Sequence, residues 1–326
     1  MKELDLRTIK TFSRLGSCGV YGIAMSDIAE EDDSIAVTTA DLCFYSGLDR
    51  FNQKHPDKLY NVGIAEQNLI GISAGLAKEG FTTFASTYAS FAVTRALDQV
   101  RVNMGYMKLP IKVIGLTSGF SVGILGATHI CIEDIAIMRC IPNIVVLSPA
   151  DGVETYKSLM SAWKYDGPVY IRMTGTMNLP ILYDKDIDFH IGKAITLKED
   201  GDIAIIATGT MVYQSMKALE ILKQKGINCK LIDMHTIKPL DYDCITTLSQ
   251  SVKLIVTVEE HSIYGGLGSA VAEVLSGNKD RPPQLILGVK DEYSHAASYE
   301  YLIDKYQLTP QMIANNIINK IKEIKL

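Results

Sequence analysis

The sequence predicts an α/β fold in two domains with mostly parallel sheets, and three observations carry that prediction. Short β-branched and aliphatic runs alternate with longer stretches of helical period. The alternation breaks once, across an irregular segment holding Pro180 and the acids Asp184, Asp186 and Asp188, and it then resumes to the end of the chain. With 326 residues, 47% hydrophobic and 21% charged, two cores of ordinary size are expected, since one would be unusually large.

In chain order, SIAVTTA, IKVIGLTS, NIVVLSP and PVYIRM read as strands of a first domain over residues 1–178. Residues 179–192 read as a linker. DIAIIATG, NCKLIDM and KLIVTVEEH then build a second domain over residues 193–326, which closes on the amphipathic helix MIANNIINKIKEI.

The net charge of −5, with Lys and Arg scattered, leaves no basic stripe of the kind that neutralises phosphates, so neither nucleic acid nor a membrane surface is expected as a partner. The six cysteines (Cys18, Cys43, Cys131, Cys140, Cys229 and Cys244) lie far apart without a CxxC pair or a His-rich companion. They read as small buried residues in a reducing compartment, and no metal-ligand set is found. The opening MKELDLRTIK is charged, and no apolar run nears the roughly 20 residues that span a bilayer. A cytoplasmic protein is expected.

The most informative stretch is LYNVGIAEQNLIGISAGLAKEG, residues 59–80. Read as a strand closing at Ile64 and then a helix, it sets Ala65, Leu69, Ile72 and Leu76 on one stripe, with Glu66 on the neighbouring stripe of Ile70, Ser73 and Ala77. No charge follows until Lys78, so burial all round is expected, with Gly71, Ala74 and Gly75 as a smooth strip for another backbone. A carboxylate at a helix start is ordinarily explained by capping and the helix dipole. Burying it ionised is nevertheless costly without a partner, and no basic residue is near in sequence, which makes Glu66 a functional candidate.

The run VGIAEQN followed by GISAGLA resembles the pyrimidine-binding (Pyr) domain of transketolases and of 1-deoxyxylulose-5-phosphate synthases, and the resemblance extends nearly end to end. It implies a thiamine-diphosphate Pyr domain followed by a transketolase C-terminal domain. It also implies that Glu66 hydrogen-bonds N1′ of the aminopyrimidine, stabilising the imino tautomer whose nitrogen takes the C2 proton. A dry helix start suits that role by favouring a proton on the carboxyl group.

TYASFAVTRALDQVR resembles the segment whose aromatic ring stacks on the aminopyrimidine. On spacing alone, Tyr88 and Phe91 read as core residues three apart on a helix; the resemblance makes Phe91 the stacking ring, with Tyr88 second. Arg95, one turn beyond Phe91, either meets a phosphate or carboxylate of the substrate or is a solvated helix arginine. DLCFYSGLDRFNQKHPDK resembles the stretch leading into the glutamate, which adds Asp41 and Ser46 to the substrate residues.

GATHICIEDIAIMRCIPNIVVLSPAD is similar to the family's substrate mouth. There the resemblance implies that His129 hydrogen-bonds the sugar's carbonyl and hydroxyl oxygens and is catalytic alongside Glu66. Arg172 in VYIRMTG matches the arginine that binds the sugar phosphate, a task suited to a planar guanidinium; a strand-end arginine in solvent is the other reading. Three departures stand out: Ile124 and Leu125 replace an acidic pair (GEDGATH in relatives), Thr117 or Ser118 replaces a histidine, and Ile130 replaces a glutamine. The missing aspartate contacts a donor hydroxyl in the family. Losing such a bond costs ~1–3 kcal/mol, so a more apolar mouth than that of a pentose-phosphate transketolase is expected.

In the second domain, the glycines of GGLGSAV read as close helix-to-sheet packing and not as a nicotinamide site, and His261 as structural or interfacial. No GDG motif with later asparagines is present, for Gly201-Asp202 runs into Ile203. The resemblance therefore implies a split enzyme. This chain is its C-terminal subunit, and an N-terminal transketolase subunit holds Mg²⁺ and the diphosphate. Two copies of this chain are expected to meet through the Gly71/Gly75 helix within an α2β2 assembly. The implied activity is transfer of a two-carbon ketol unit between sugar substrates, only with the partner chain. The alternatives are a pyruvate-using acyl transfer of the deoxyxylulose-phosphate-synthase kind and a non-catalytic subunit.

Overall fold

A computed structural model describes residues 4–326; Met1–Glu3, part of the charged opening segment and of the first predicted domain, lie outside it. The first half contains strands β1 (Ile35–Thr39), β2 (Leu59–Asn61), β3 (Thr82–Tyr88), β4 (Lys112–Leu116), β5 (Val145–Leu147) and β6 (Val169–Arg172). Its helices are α1 (Leu6–Glu31), α2 (Asp49–Lys54), α3 (Glu66–Lys78), α4 (Leu97–Val100), α5 (Asp134–Cys140) and α6 (Gly152–Lys164). The second half contains β7 (Ile195–Lys198), β8 (Ile203–Ala207), β9 (Cys229–Asp233), β10 (Thr236–Lys238), β11 (Leu254–Ser262) and β12 (Gln284–Val289). Around these lie α7 (Met211–Gln224), α8 (Tyr242–Ser251), α9 (Leu267–Leu275), α10 (Tyr299–Lys305) and α11 (Pro310–Glu323).

The strands form two sheets, β10-β5-β6-β4-β3-β1-β2 and β12-β11-β8-β9-β7. All pairings are parallel except those of β10 and β7, each antiparallel at a sheet edge. Strands β1, β4 and β8 are buried along their whole length, as expected where helices cover both faces and the sequence runs continuously apolar. Helix starts follow local capping chemistry: Asp151, Asp241, Ser298 and Thr309 each accept a backbone N–H of the first turn. The glycines after β11 pack as expected, since a Cβ on Gly268 would collide with Ile286 and Thr257.

Between Arg172 and Ile195 there is no regular element, yet the segment is tied down. Asp151 Oδ2 accepts the amides of Leu182 and Tyr183 at 3.0 Å each, and Lys157 pairs with Asp186 at 2.6 Å. The two halves also interlock. Strand β10 adds to the first sheet, and Phe120, Ile130 and Ile132 of the first half sit in the core of the second. His261 lies fully buried at this junction, where its Nε2 accepts the Ala136 amide and burial pushes it down to about 4. All six cysteines are free, but only Cys131 and Cys229 are buried and Cys140 is exposed, so a purely interior role does not hold for the set.

Three carboxyl groups, Asp151 and Glu154 of the first half and Asp233 of the second, share this junction with the Tyr183 hydroxyl, which donates to Asp233 Oδ2 at 2.7 Å. Among the described residues no basic side chain pairs with them. Burial and the neighbouring acids push Glu154 well up, and burial pushes Asp233 up to about 7. An unfolded aspartate titrates near ~3.9, so the native state prefers the proton, and the stabilisation it lends declines from there and is gone once pH passes about 7. Buried His235, pushed down to about 4, has the opposite slope from there up to its unfolded value of ~6.5, so the effect is cleanest as a difference. Relative to Asp233→Asn, the wild-type chain is expected to lose stability between about pH 4 and 7 in urea titrations and to run parallel above that. Parallel profiles over that range would refute a protonated Asp233 in the native state.

Candidate functional site

The carboxyl ends of β1, β3 and β4 lie side by side in the first sheet, the edge at which parallel sheets generally carry their sites. Glu66 is the first residue of α3, preceded by Ala65, which supplies no side-chain cap. Its side chain is only 3% exposed. Ile64 does not close a strand as expected: β2 ends at Asn61, and Ile64 stands 75% exposed in the connecting loop. Nor is α3 buried all round. Its Gln67, Gly71 and Gly75 face is open, and a Cβ on either glycine would meet nothing within 4 Å.

Glu66 is not without a counter-ion. Arg95 Nη1 donates to Glu66 Oε2 at 2.7 Å, and the Arg95 guanidinium carbon lies 4.2 Å above the centre of the Phe91 ring. The local backbone explains how. Strand β3 ends at Tyr88, and a π-turn runs over Phe91–Arg95, with the Ala96 amide bonded to the Phe91 carbonyl at 3.1 Å. The wider turn brings residue i+4 over residue i. Tyr88 and Phe91 therefore do not share one helix: one ends a strand and the other opens the turn.

His129 completes the cluster. Its ring centre lies 5.2 Å from Phe91 and 5.4 Å from Tyr88, both edge-on, and its Nδ1 is 2.9 Å from the Thr128 hydroxyl. Burial and the nearby Tyr45 push the Tyr88 phenol up. Glu66, Tyr88, Phe91, Arg95 and His129 thus form one continuous surface. Ile124 and Leu125 flank it in the same loop, 74% and 46% exposed. Gly126 takes φ +72°, a backbone that favours glycine, where the loop runs beside Ala296 of the second half.

Two of the expected substrate residues make their contacts inside the fold. Arg172 is 1% exposed; its Nε donates to both Asp134 carboxylate oxygens at 3.0 and 2.9 Å, and its Nη2 to the Glu260 carbonyl at 2.7 Å. It is consumed by the packing of α5 on β6 and the second half, and does not reach the cluster. Ser46 is fully buried, its hydroxyl donating to the Leu42 and Cys43 carbonyls at 2.7 and 3.1 Å. Asp41 is exposed after β1, in a left-handed conformation, with its Oδ1 accepting from Asn61 at 3.0 Å. Two buried residues that sequence reading passed over are Asp134, which pairs with Arg172, and Glu260, which accepts the Phe120 amide of the loop leading to His129. Their signal was acids inside apolar runs, ICIEDIAI and IVTVEEH.

Among the described residues, no cluster of three His, Cys, Asp or Glu side chains is placed to hold a metal ion. Asp202 of the lone Gly-Asp pair lies on the surface, 2.9 Å from Lys253. No helix is long and apolar enough to cross a membrane.

Comparison with known proteins gives a consistent result. Residues 18–178 match the family described as "Transketolase, pyrimidine binding domain", and residues 192–313 match "Transketolase, C-terminal domain". A transketolase C-terminal section from Methanocaldococcus jannaschii is 38% identical over 305 residues, covering 93% of this chain and 95% of that protein. A 6-deoxy-6-sulfo-D-fructose transketolase subunit from a Clostridium species is 37% identical over 293 residues, covering 90% of each. Among solved structures, a split-gene transketolase in the form of an inactive β4 tetramer is similar with a TM-score of 0.84 and 36% identity, covering 94% of this chain and 97% of that one.

Proposed function

Because the chain belongs to the transketolase family, in which its pyrimidine-binding and C-terminal domains place it, we propose that it is the C-terminal subunit of a split thiamine-diphosphate transketolase. Together with an N-terminal subunit it transfers a two-carbon ketol unit between sugar substrates. One observation carries this reading: a carboxylate at a helix start, an aromatic face and an imidazole meet in one cluster.

The residues present fit the cofactor's aminopyrimidine. Arg95 already makes the two contacts that a flat ring bearing N–H groups requires, an edge to Glu66 and a face to Phe91. When bound, thiamine diphosphate supplies the carbanion that attacks a ketose. The chain's own residues do the rest. Glu66 holds a proton at the ring nitrogen, Phe91 and Tyr88 fix the plane, and His129 offers a ring N–H to substrate oxygens. Ile124 and Leu125 keep the mouth apolar, and Asp41 offers an exposed carboxylate to a substrate hydroxyl. Mg²⁺ and the diphosphate belong to the N-terminal partner in this reading. Two copies of this chain meet inside an α2β2 assembly, supported by the open Gln67–Gly71–Gly75 face. The six unbonded cysteines support a cytoplasmic setting.

The test is reconstitution with a subunit that carries a diphosphate-binding domain, followed by assay of ketose consumption against an aldose acceptor. Transfer is expected from the pair and not from either chain alone; a pair that consumes pyruvate but no ketose would overturn the reading. The apolar mouth makes a separate prediction. Leu125→Asp should raise kcat/KM for a donor bearing the hydroxyl normally met by an acid by about tenfold, the value of one such hydrogen bond. A wild-type preference for xylulose 5-phosphate, unchanged in the variant, would refute it.

A further inference from the structure

His129 lies at the tip of a loop, residues 117–133, that leaves the first sheet and is anchored almost wholly in the second half of the chain. The Phe120 ring stacks on Tyr306 at 5.1 Å and 9°, and Ile130 and Ile132 join the same apolar core. Gly119 and Cys131 pair across the loop's base, Ser262 donates its amide to the Ile132 carbonyl at 2.7 Å, and Ala297 donates to Gly123 at 3.1 Å. At the centre of these contacts is Glu260 on β11, which is 1% exposed. Its Oε1 accepts the Phe120 amide at 2.5 Å, and its Oε2 accepts the hydroxyls of Thr210 at 2.6 Å and Tyr299 at 2.9 Å. Gly119, at φ +65°, passes so close that a Cβ there would run into the same carboxylate.

We propose that Glu260 is a positioning residue, through which the C-terminal domain sets His129 against the Phe91 and Tyr88 rings. The carboxylate is suited to this because it can accept three donors from three different segments at once, namely the loop, the start of α7 and the start of α10. With those donors satisfied, the loop's base has one arrangement, and a near-rigid base fixes the imidazole ten residues further on. The role rests on the reading of His129 as the substrate-facing residue, and it assigns the second domain a part in substrate geometry.

The adjacent Glu259 provides the control. It too is buried and accepts two backbone amides, of Leu267 and Gly268 at 2.6 and 2.8 Å, but it caps α9 and does not touch the loop. In the full-length chain alone, amide exchange within residues 119–131 should quicken at least ~10-fold in Glu260→Leu, should stay near wild type in Glu259→Leu, and should be largely rescued in Glu260→Gln. The milder Tyr299→Phe, which removes one donor, should give a smaller rise in the same residues should Glu260→Leu fail to fold. In the reconstituted pair, Glu260→Leu should lower kcat/KM for the sugar at least ~10-fold while leaving half-saturation by thiamine diphosphate within ~2-fold, because Glu66 and Phe91 are carried by α3 and the turn after β3, whose backbones Glu260 does not hold. Equal loop exchange in the Glu259 and Glu260 variants, or no rise in Tyr299→Phe, would overturn the proposal. An inactive pair with loop exchange as expected would instead count against the transketolase reading alone.

Discussion

Glu66→Gln is expected to lower kcat of the reconstituted pair by about 10²- to 10⁴-fold, the range associated with loss of a positioned proton-transfer group. The substitution is close to isosteric, and its amide oxygen can still accept from Arg95, which lies 2.7 Å from the native carboxylate. Stability should therefore change by no more than ~1 kcal/mol. What glutamine cannot do is exchange a proton with a ring nitrogen. Half-saturation by thiamine diphosphate, read separately by fluorescence or calorimetry, should worsen far less than turnover. Unchanged turnover in a cofactor-loaded Glu66→Gln pair would remove the catalytic reading and leave a structural subunit.

The second large effect is on folding. Arg172→Met should destabilise the chain by about 3–5 kcal/mol, because it leaves Asp134 buried with no cationic partner. Tyr170 would still donate to Asp134 Oδ2 at 2.9 Å, but the Glu260 carbonyl would also lose its donor. The double variant Arg172→Met with Asp134→Leu should recover much of the loss, since replacing both charges removes the stranded one. Urea unfolding of the single and double variants measures this directly. Had Arg172 gripped a sugar phosphate, its loss would raise KM for a phosphorylated substrate and leave stability intact, and that pattern would sink the structural assignment.

The contrast between Glu66 and Arg172 shows which features could be read in advance. Glu66, Phe91 and His129 each lie within a short contiguous motif, so the local chain carries both the residue and its setting. Arg172 sits in an equally recognisable strand end, but its role is decided by Asp134, 38 residues earlier, and by a carbonyl 88 residues later. Neither separation leaves a periodic trace. The Glu66–Arg95 pair spans 29 residues across β3, so an acid with no basic neighbour in sequence has one in space. The placement of Ser46 was hidden for a related reason: its hydroxyl is spent on carbonyls three and four residues back, as serine commonly does in a turn.

By itself, the sequence determined the two α/β halves, their mostly parallel sheets and the motifs at the cluster, because continuous apolar runs and helical period are properties of neighbouring residues. The tertiary structure alone decided which charges pair, which polar groups are spent on packing, and that the loop bearing His129 is held by the opposite half of the chain. Pairing and burial depend on groups brought together from distant positions, where desolvation makes a partner obligatory but leaves no mark in the local sequence.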